Sequence, residues 1–213
     1  DKTNVEDIMN GVISDKETIW GLYSEEFPNY TRDVMYSSGG SYYYDPKPDY
    51  REIYEVDQDG FDYRLDKWFQ TLSDHGAEGL RCMKVVDRFK VRLQTRPVTK
   101  LSGINMIRLP ELYYIVAEYY LVADDMKMAA SYLDKVVRAR GLNGFNKGDG
   151  VVVVSRMNIN NDRRKELVCE GQWFQIIKHY NMSIYESITD QTFQPSKDIY
   201  VFPVPDNEYE YRN

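Results

Sequence analysis

Between Ile104 and Leu142 apolar side chains recur at helical rather than strand spacing. Leu112, Ile115, Val116, Tyr119 and Val122 fall on one face of a helix, and the pattern predicts that this stripe is buried. Pro110 suits the start of that helix, where its missing N–H would have had no intrahelical partner. Asp124 and Asp125 then offer N-cap acceptors for a second helix, which carries Ala129, Ala130, Leu133, Val136 and Val137 inward. Arg138 and Arg140 stand in its last turn, where cations favour the helix dipole, and Gly141 suits a left-handed cap. Two helices joined by so few residues run antiparallel, as a hairpin. The small residues Ala117, Ala123, Ala129 and Ala130 allow close helix contact, as in tetratricopeptide-like repeats, yet no second copy lies about 34 residues away. One hairpin cannot bury both its faces, so its neighbours are irregular helices of this chain or lie outside it.

The patterning elsewhere is more broken. A long helix is expected from about Asn160 to Tyr180, capped by Asn160 or Asn161, with Leu167, Phe174 and Ile177, flanked by Trp173 and Ile176, as its apolar face. Gly171 inside it costs about 1 kcal/mol relative to Ala and signals the close approach of another backbone. Ser14 with Glu17 forms a capping-box pattern for a short helix, followed by Ile19, Trp20, Leu22 and Tyr23, which read equally as helix or strand. Residues 71–103 alternate charged and apolar positions, as a half-buried strand or irregular segment does. Val151–Val154 reads as a small strand, and Pro203 and Pro205 hold the Ile199–Pro205 segment extended. The fold class is therefore mainly α, a helical hairpin packed with further helices and long irregular loops.

With 213 residues, 42% of them hydrophobic and 29% charged, the chain fits one globular domain, residues 1–213. A net charge of −7 argues against nucleic acid or anionic lipid as the partner, and no apolar run is long enough to span a bilayer. The chain opens at Asp1 without a signal-like segment, as expected of a processed form or a fragment. Cys82 and Cys169 lack metal-type spacing, and a disulfide, two buried thiols or two unrelated thiols all remain open. His75 and His179 are far apart, and no nucleophile elbow, phosphate loop or zinc-protease motif occurs, so neither a metal, a cofactor nor catalysis is expected. A glycosidase-type carboxylate pair among the 34 acidic residues is the enzymatic alternative. The segment Glu55–Asp66 aligns with a calcium-binding loop but fails at its first and twelfth positions and at Asp62.

The 19 tyrosines are the compositional oddity. They concentrate in the loop Tyr36–Tyr50, where Gly39, Gly40, Pro46 and Pro48 break regular structure. Sugars present apolar C–H faces to aromatic rings and hydroxyls to carboxylates. Tyr42, Tyr43 and Tyr44 beside Asp45, with Asp49 in reach, are therefore the candidate ligand-binding residues. Trp68 is a second candidate, although its helical spacing with Leu65 and Leu72 favours burial.

Five motifs, in order, resemble those of the SusD/RagB family of cell-surface nutrient-binding lipoproteins. Glu17, Ile19, Tyr23 and Ser24 match a Glu-x-Ile motif, and Asp62-x-Arg64 before Trp68 matches a structural ion pair. Arg108, Glu111, Tyr113, Ala117 and Glu118, with Ala130, Tyr132, Leu133 and the run ending at Arg140, match the family's hairpin signature. Arg163, Glu166, Leu167, Glu170 and Gly171 match its later helix, and Phe202-Pro203-Val204-Pro205 its terminal segment. Asp162 replaces the usual Glu, Trp173 the usual Arg, and Gln175-Ile176 the usual Asp-Leu, departures that imply a reduced ion-pair network. The resemblance implies a SusD-like C-terminal region whose N-terminal half lies outside this chain. It further implies non-catalytic binding of glycans or oligosaccharides at the outer-membrane surface. The implied partner is a TonB-dependent, SusC-like transporter, and the membrane is met only through a lipid anchor outside this chain. The alternative is a helical-repeat scaffold that binds peptide or protein.

Overall fold

The computed structural model describes residues 13–27, 29–31, 51–55, 60–74, 77–85, 101–148, 150–186 and 189–201. Strand β1 (Thr18–Tyr23) precedes the short helices α1 (Glu52–Glu55) and α2 (Tyr63–Trp68), then β2 (Phe69–Asp74), β3 (Ala77–Cys82) and β4 (Gly103–Arg108). The hairpin helices are α3 (Leu109–Val122) and α4 (Met126–Ala139), followed by α5 (Arg156–Glu166). These belong to one compact unit, Asp1–Glu170; Gly171–Asn213 form a second. The second unit contains α6 (Trp173–His179), the strands β5 (Ile184–Glu186) and β6 (Gln191–Phe193), and α7 (Lys197–Tyr200). Among the described residues every sheet is a two-stranded antiparallel ribbon, β1–β4, β2–β3 and β5–β6, and the fold is mainly α.

The hairpin forms for the reasons its sequence gives. Pro110 sits in the first turn of α3, and the Asp125 side chain accepts from the Met128 N–H at 3.0 Å to cap α4. Gly141 follows the α4 C-cap with φ +96°. Ala129 is buried, and Ala130, Leu133, Val136 and Val137 pack with Tyr114, Ala117 and Ile159 into one core cluster. Tyr120 stacks on Tyr132 across the hairpin, with centroids 5.7 Å apart. A second cluster gathers Tyr54, Trp68, Phe69, Leu80, Cys82 and Met83.

Several expectations are corrected. The stripe Leu112, Ile115, Tyr119 and Val122 is exposed, with Ile115 at 60%, Tyr119 at 67% and Val122 at 71%. Helix α3 is apolar on most of its circumference, and the opposite stripe, Pro110, Tyr114 and Ala117, faces the core. Two causes favour that stripe: Ala117 admits close approach of α4, and the Tyr114 hydroxyl finds an internal acceptor in Asp162 at 2.6 Å. The expected helix over 160–180 is two helices. It starts earlier, at a capping box of Ser155 and Asn158, and it breaks after Glu166, where Cys169 (φ +62°) and Gly171 (φ +74°) take left-handed conformations. Among the described residues Gly171 meets no neighbouring backbone, with nothing within 4 Å of a Cβ placed there, so its conformation rather than close approach accounts for the glycine.

Residues 15–17 form a turn, not a helix, and the ambiguous segment after them is strand β1. Ser14 Oγ still accepts from the Glu17 N–H at 3.3 Å, but the Glu17 carboxylate reaches elsewhere. Residues 151–154 join no sheet, although burial alternates as in a strand, with Val152 and Val154 inside and Val151 and Val153 outside. Ile199 and Tyr200 lie in α7, capped by Ser196, so the extended segment expected there begins no earlier than Val201.

Candidate functional site

Among the described residues the largest polar constellation is a buried charge network that joins segments distant in sequence. Asp62 caps α2 by accepting from the Arg64 N–H, and its two carboxylate oxygens then hold the Arg64 guanidinium at 2.9 and 2.8 Å. This is the ion pair expected at Asp62 and Arg64. Arg64 continues to Asp162 at 2.6 Å and to Glu166 at 3.2 Å, both on α5. Arg108, which ends β4, donates to Glu166 at 2.8 Å and Glu170 at 2.9 Å and lies 3.4 Å from Glu17. Arg140, at the end of α4, grips Glu17 with two bonds of 2.9 and 2.8 Å and Glu166 with two more. The Lys84 ammonium meets Glu170 and the Glu166 carbonyl and lies 3.9 Å from the centre of the Trp68 ring. Asp162 holds both Arg64 and Tyr114, so the shorter carboxylate at this position is still an engaged member of the network.

The network is a structural node. Burial alone would raise the Glu166 carboxyl, but Arg140, Arg108 and Arg64 together hold it well below the usual carboxylate range. Burial pulls Arg64 down, while Asp162, Asp62 and Glu166 more than offset this and raise it. Glu166 therefore stays ionised near neutrality and has no proton to give as a general acid. A carboxyl with a lowered folded pKa contributes stability that is complete above its unfolded pKa, about 4.3 for Glu, and is lost as pH falls through the folded value. Helical circular dichroism should accordingly hold from pH 7 down to about 4 and collapse only below it. Collapse above pH 5 would contradict this assignment.

The sequence-derived ligand candidates fall differently. Tyr42, Tyr43, Tyr44 and Asp45 lie outside the described residues. Trp68 is 0% exposed, with Lys84 over its ring and Phe69 and Tyr54 in the same cluster. A ring with no free face cannot stack on a sugar, so Trp68 is a core residue. Asp62, aligned above with a calcium loop, is engaged by Arg64, and among the described residues no cluster of three or more His, Cys, Asp or Glu is placed to hold a metal. A cavity of about 190 Å³ is lined by Phe27, Lys84, Ile104, Asn105, Cys169 and Glu170. It is smaller than the roughly 300–1,000 Å³ of a typical small-molecule site. Sequence reasoning missed a second exposed apolar surface, where β1 and β4 present Ile19, Trp20, Leu22, Tyr23, Met106 and Ile107. Its signal was the ambiguous alternation at 19–23. Among the described residues no helix is long and apolar enough to cross a membrane.

Solved structures share this fold. The chain superposes on a SusD superfamily protein from Bacteroides thetaiotaomicron with a TM-score of 0.71 at 18% identity, covering 99% of this chain and 50% of that one. It superposes on a SusD-like carbohydrate-binding protein from Bacteroides vulgatus with a TM-score of 0.67 at 20% identity, covering 96% of this chain and 49% of that one. No family sequence profile and no curated protein sequence matches. The chain has the SusD-like fold, and it spans about half the length of these two proteins.

Proposed function

We propose that this chain is the C-terminal half of a SusD/RagB-type lipoprotein that binds oligosaccharides at the outer-membrane surface without chemically altering them. The observation that carries the reading is the fold shared along 96% of the chain with a protein described as carbohydrate-binding. In this reading a TonB-dependent, SusC-like transporter receives the ligand, and a lipid anchor outside this chain holds the protein at the membrane. The exposed stripe of α3 supports the half-protein reading. A helix apolar nearly all round is ordinarily covered, and a helical unit from preceding polypeptide fits that face. The fully engaged carboxylates of the buried network support a non-catalytic role.

The ligand site is proposed at Tyr42, Tyr43, Tyr44 and Asp45, with Trp68 left to the core. Calorimetry with a panel of oligosaccharides on the full-length protein tests it. Replacing the three tyrosines with alanine should weaken binding by about 1–3 kcal/mol for each true stacking contact. Unchanged affinity in the folded variant moves the site away from this loop. No binding of any glycan by the wild type favours the scaffold reading, for which the exposed α3 stripe is the candidate surface. Failure to recover a barrel protein with the lipoprotein from solubilised outer membranes would count against the transporter partnership.

A further inference from the structure

The chain has two cysteines, 87 positions apart, and the fold brings them together. Cys82 ends β3 and is buried, whereas Cys169 lies in the turn after α5 and is exposed. Cys169 has φ +62°, a conformation that non-glycine residues keep only where their surroundings hold them. Its sulfur lies 2.7 Å from that of Cys82. We propose that Cys82 and Cys169 form an intramolecular disulfide that ties the β2–β3 hairpin to the end of α5. Two thiols already in contact need move only a fraction of an ångström to reach the ~2.05 Å of the covalent bond.

The oxidant is an external disulfide, either oxidised glutathione or a thiol–disulfide oxidoreductase. Exposed Cys169 attacks one external sulfur as its proton passes to the leaving group; a mixed disulfide forms and one thiol leaves. Cys82 then gives up its proton and attacks the Cys169 sulfur, and the second external thiol departs. One external S–S bond and two cysteine S–H bonds become one protein S–S bond and two external thiols. Cys82 suits the second step. In the dithiol the Cys169 S–H holds its pKa below the usual thiol range, against burial; that contact is spent in the first step, and what then aims Cys82 is the place of its sulfur against that of Cys169. Such a bond persists in an oxidising compartment and stands whether or not the sugar-binding reading does.

The test is to purify the chain without reductant, incubate it with oxidised glutathione, count thiols under denaturing conditions and map the peptides. The expected result is no free thiol and a mass lower by two hydrogen atoms. A peptide linked through Cys82 and Cys169 should appear and vanish on reduction. The C82S variant should instead hold a glutathione adduct at Cys169. Two free thiols in the wild type, or an adduct at Cys169 with no linked peptide, would overturn the proposal.

Discussion

Replacing Glu166 with alanine is expected to destabilise the fold by about 3–5 kcal/mol, the cost of breaking a buried ion-pair network by removing one member. Glu166 is fully buried and accepts from three guanidinium groups, Arg64, Arg108 and Arg140. Without it Arg64 keeps Asp62 and Asp162, Arg108 keeps Glu170 and Arg140 keeps Glu17, but the carboxylate shared between the three cations is lost in a medium too poor in water to screen their repulsion. The net worth of such a network against a well-packed apolar core is small, but the cost of removing one member is not. Since a domain of this kind is stable by only about 5–15 kcal/mol, urea unfolding should shift to a markedly lower midpoint or lose its cooperative transition. Glu166→Gln should recover part of the loss, because the amide oxygen still accepts while the charge is gone. The partly exposed pair of Lys67 and Asp66, 3.7 Å apart, gives the contrast: Asp66→Asn should cost no more than about 1 kcal/mol. An E166A midpoint equal to that of wild type would remove the network from any account of this fold.

Gly141→Ala is expected to cost about 2–4 kcal/mol, through strain and collision together. At φ +96° an L side chain is strained whatever the space around it. Space is also absent: a Cβ there would sit 2.2 Å from the Phe61 carbonyl oxygen and 2.9 Å from the Tyr63 ring. The end of α4 crosses the strap leading into α2 at this point, with the Tyr63 N–H donating to the Arg140 carbonyl at 2.8 Å. Two other glycines separate the effects. Gly148 has φ +80° with nothing within 4 Å of an added Cβ, so Gly148→Ala should show strain alone, about 1 kcal/mol. Gly150 has neither a positive φ nor a neighbour, and Gly150→Ala should be close to neutral. Equal thermal midpoints for all three variants would refute this ordering.

How far the sequence could be read depended on how local each cause is. The caps at Asp125 and Gly141, the proline at the start of α3 and the inward face of α4 are decided by neighbours within a turn or two, and all were legible. The buried face of α3 was not, because both its stripes are apolar; the choice was made by Asp162 and α4, which periodicity does not contain. The break after Glu166 was hidden because Leu167, Phe174 and Ile177 keep helical spacing across two helices. The network was partly visible as separate motifs, such as Asp62 with Arg64, but its closure through Glu17 and Arg140 was not. Of the candidate site, the burial of Trp68 was signalled by its spacing with Leu65. The tyrosine loop rests on composition alone.

The closure of that network also bears on how the chain reaches its fold. Glu17 and Arg140 are 123 positions apart and Arg64 and Glu166 are 102 apart; Arg64 has a local partner in Asp62, but Glu17, Arg140 and Glu166 meet only partners distant in sequence. A partly folded chain that buries one arm of the network before the others arrive carries an unpaired charge in its interior. Intermediates of that kind are penalised, so this unit should assemble late and as a whole, with a search time set by long loop closures rather than by its fast-forming helices.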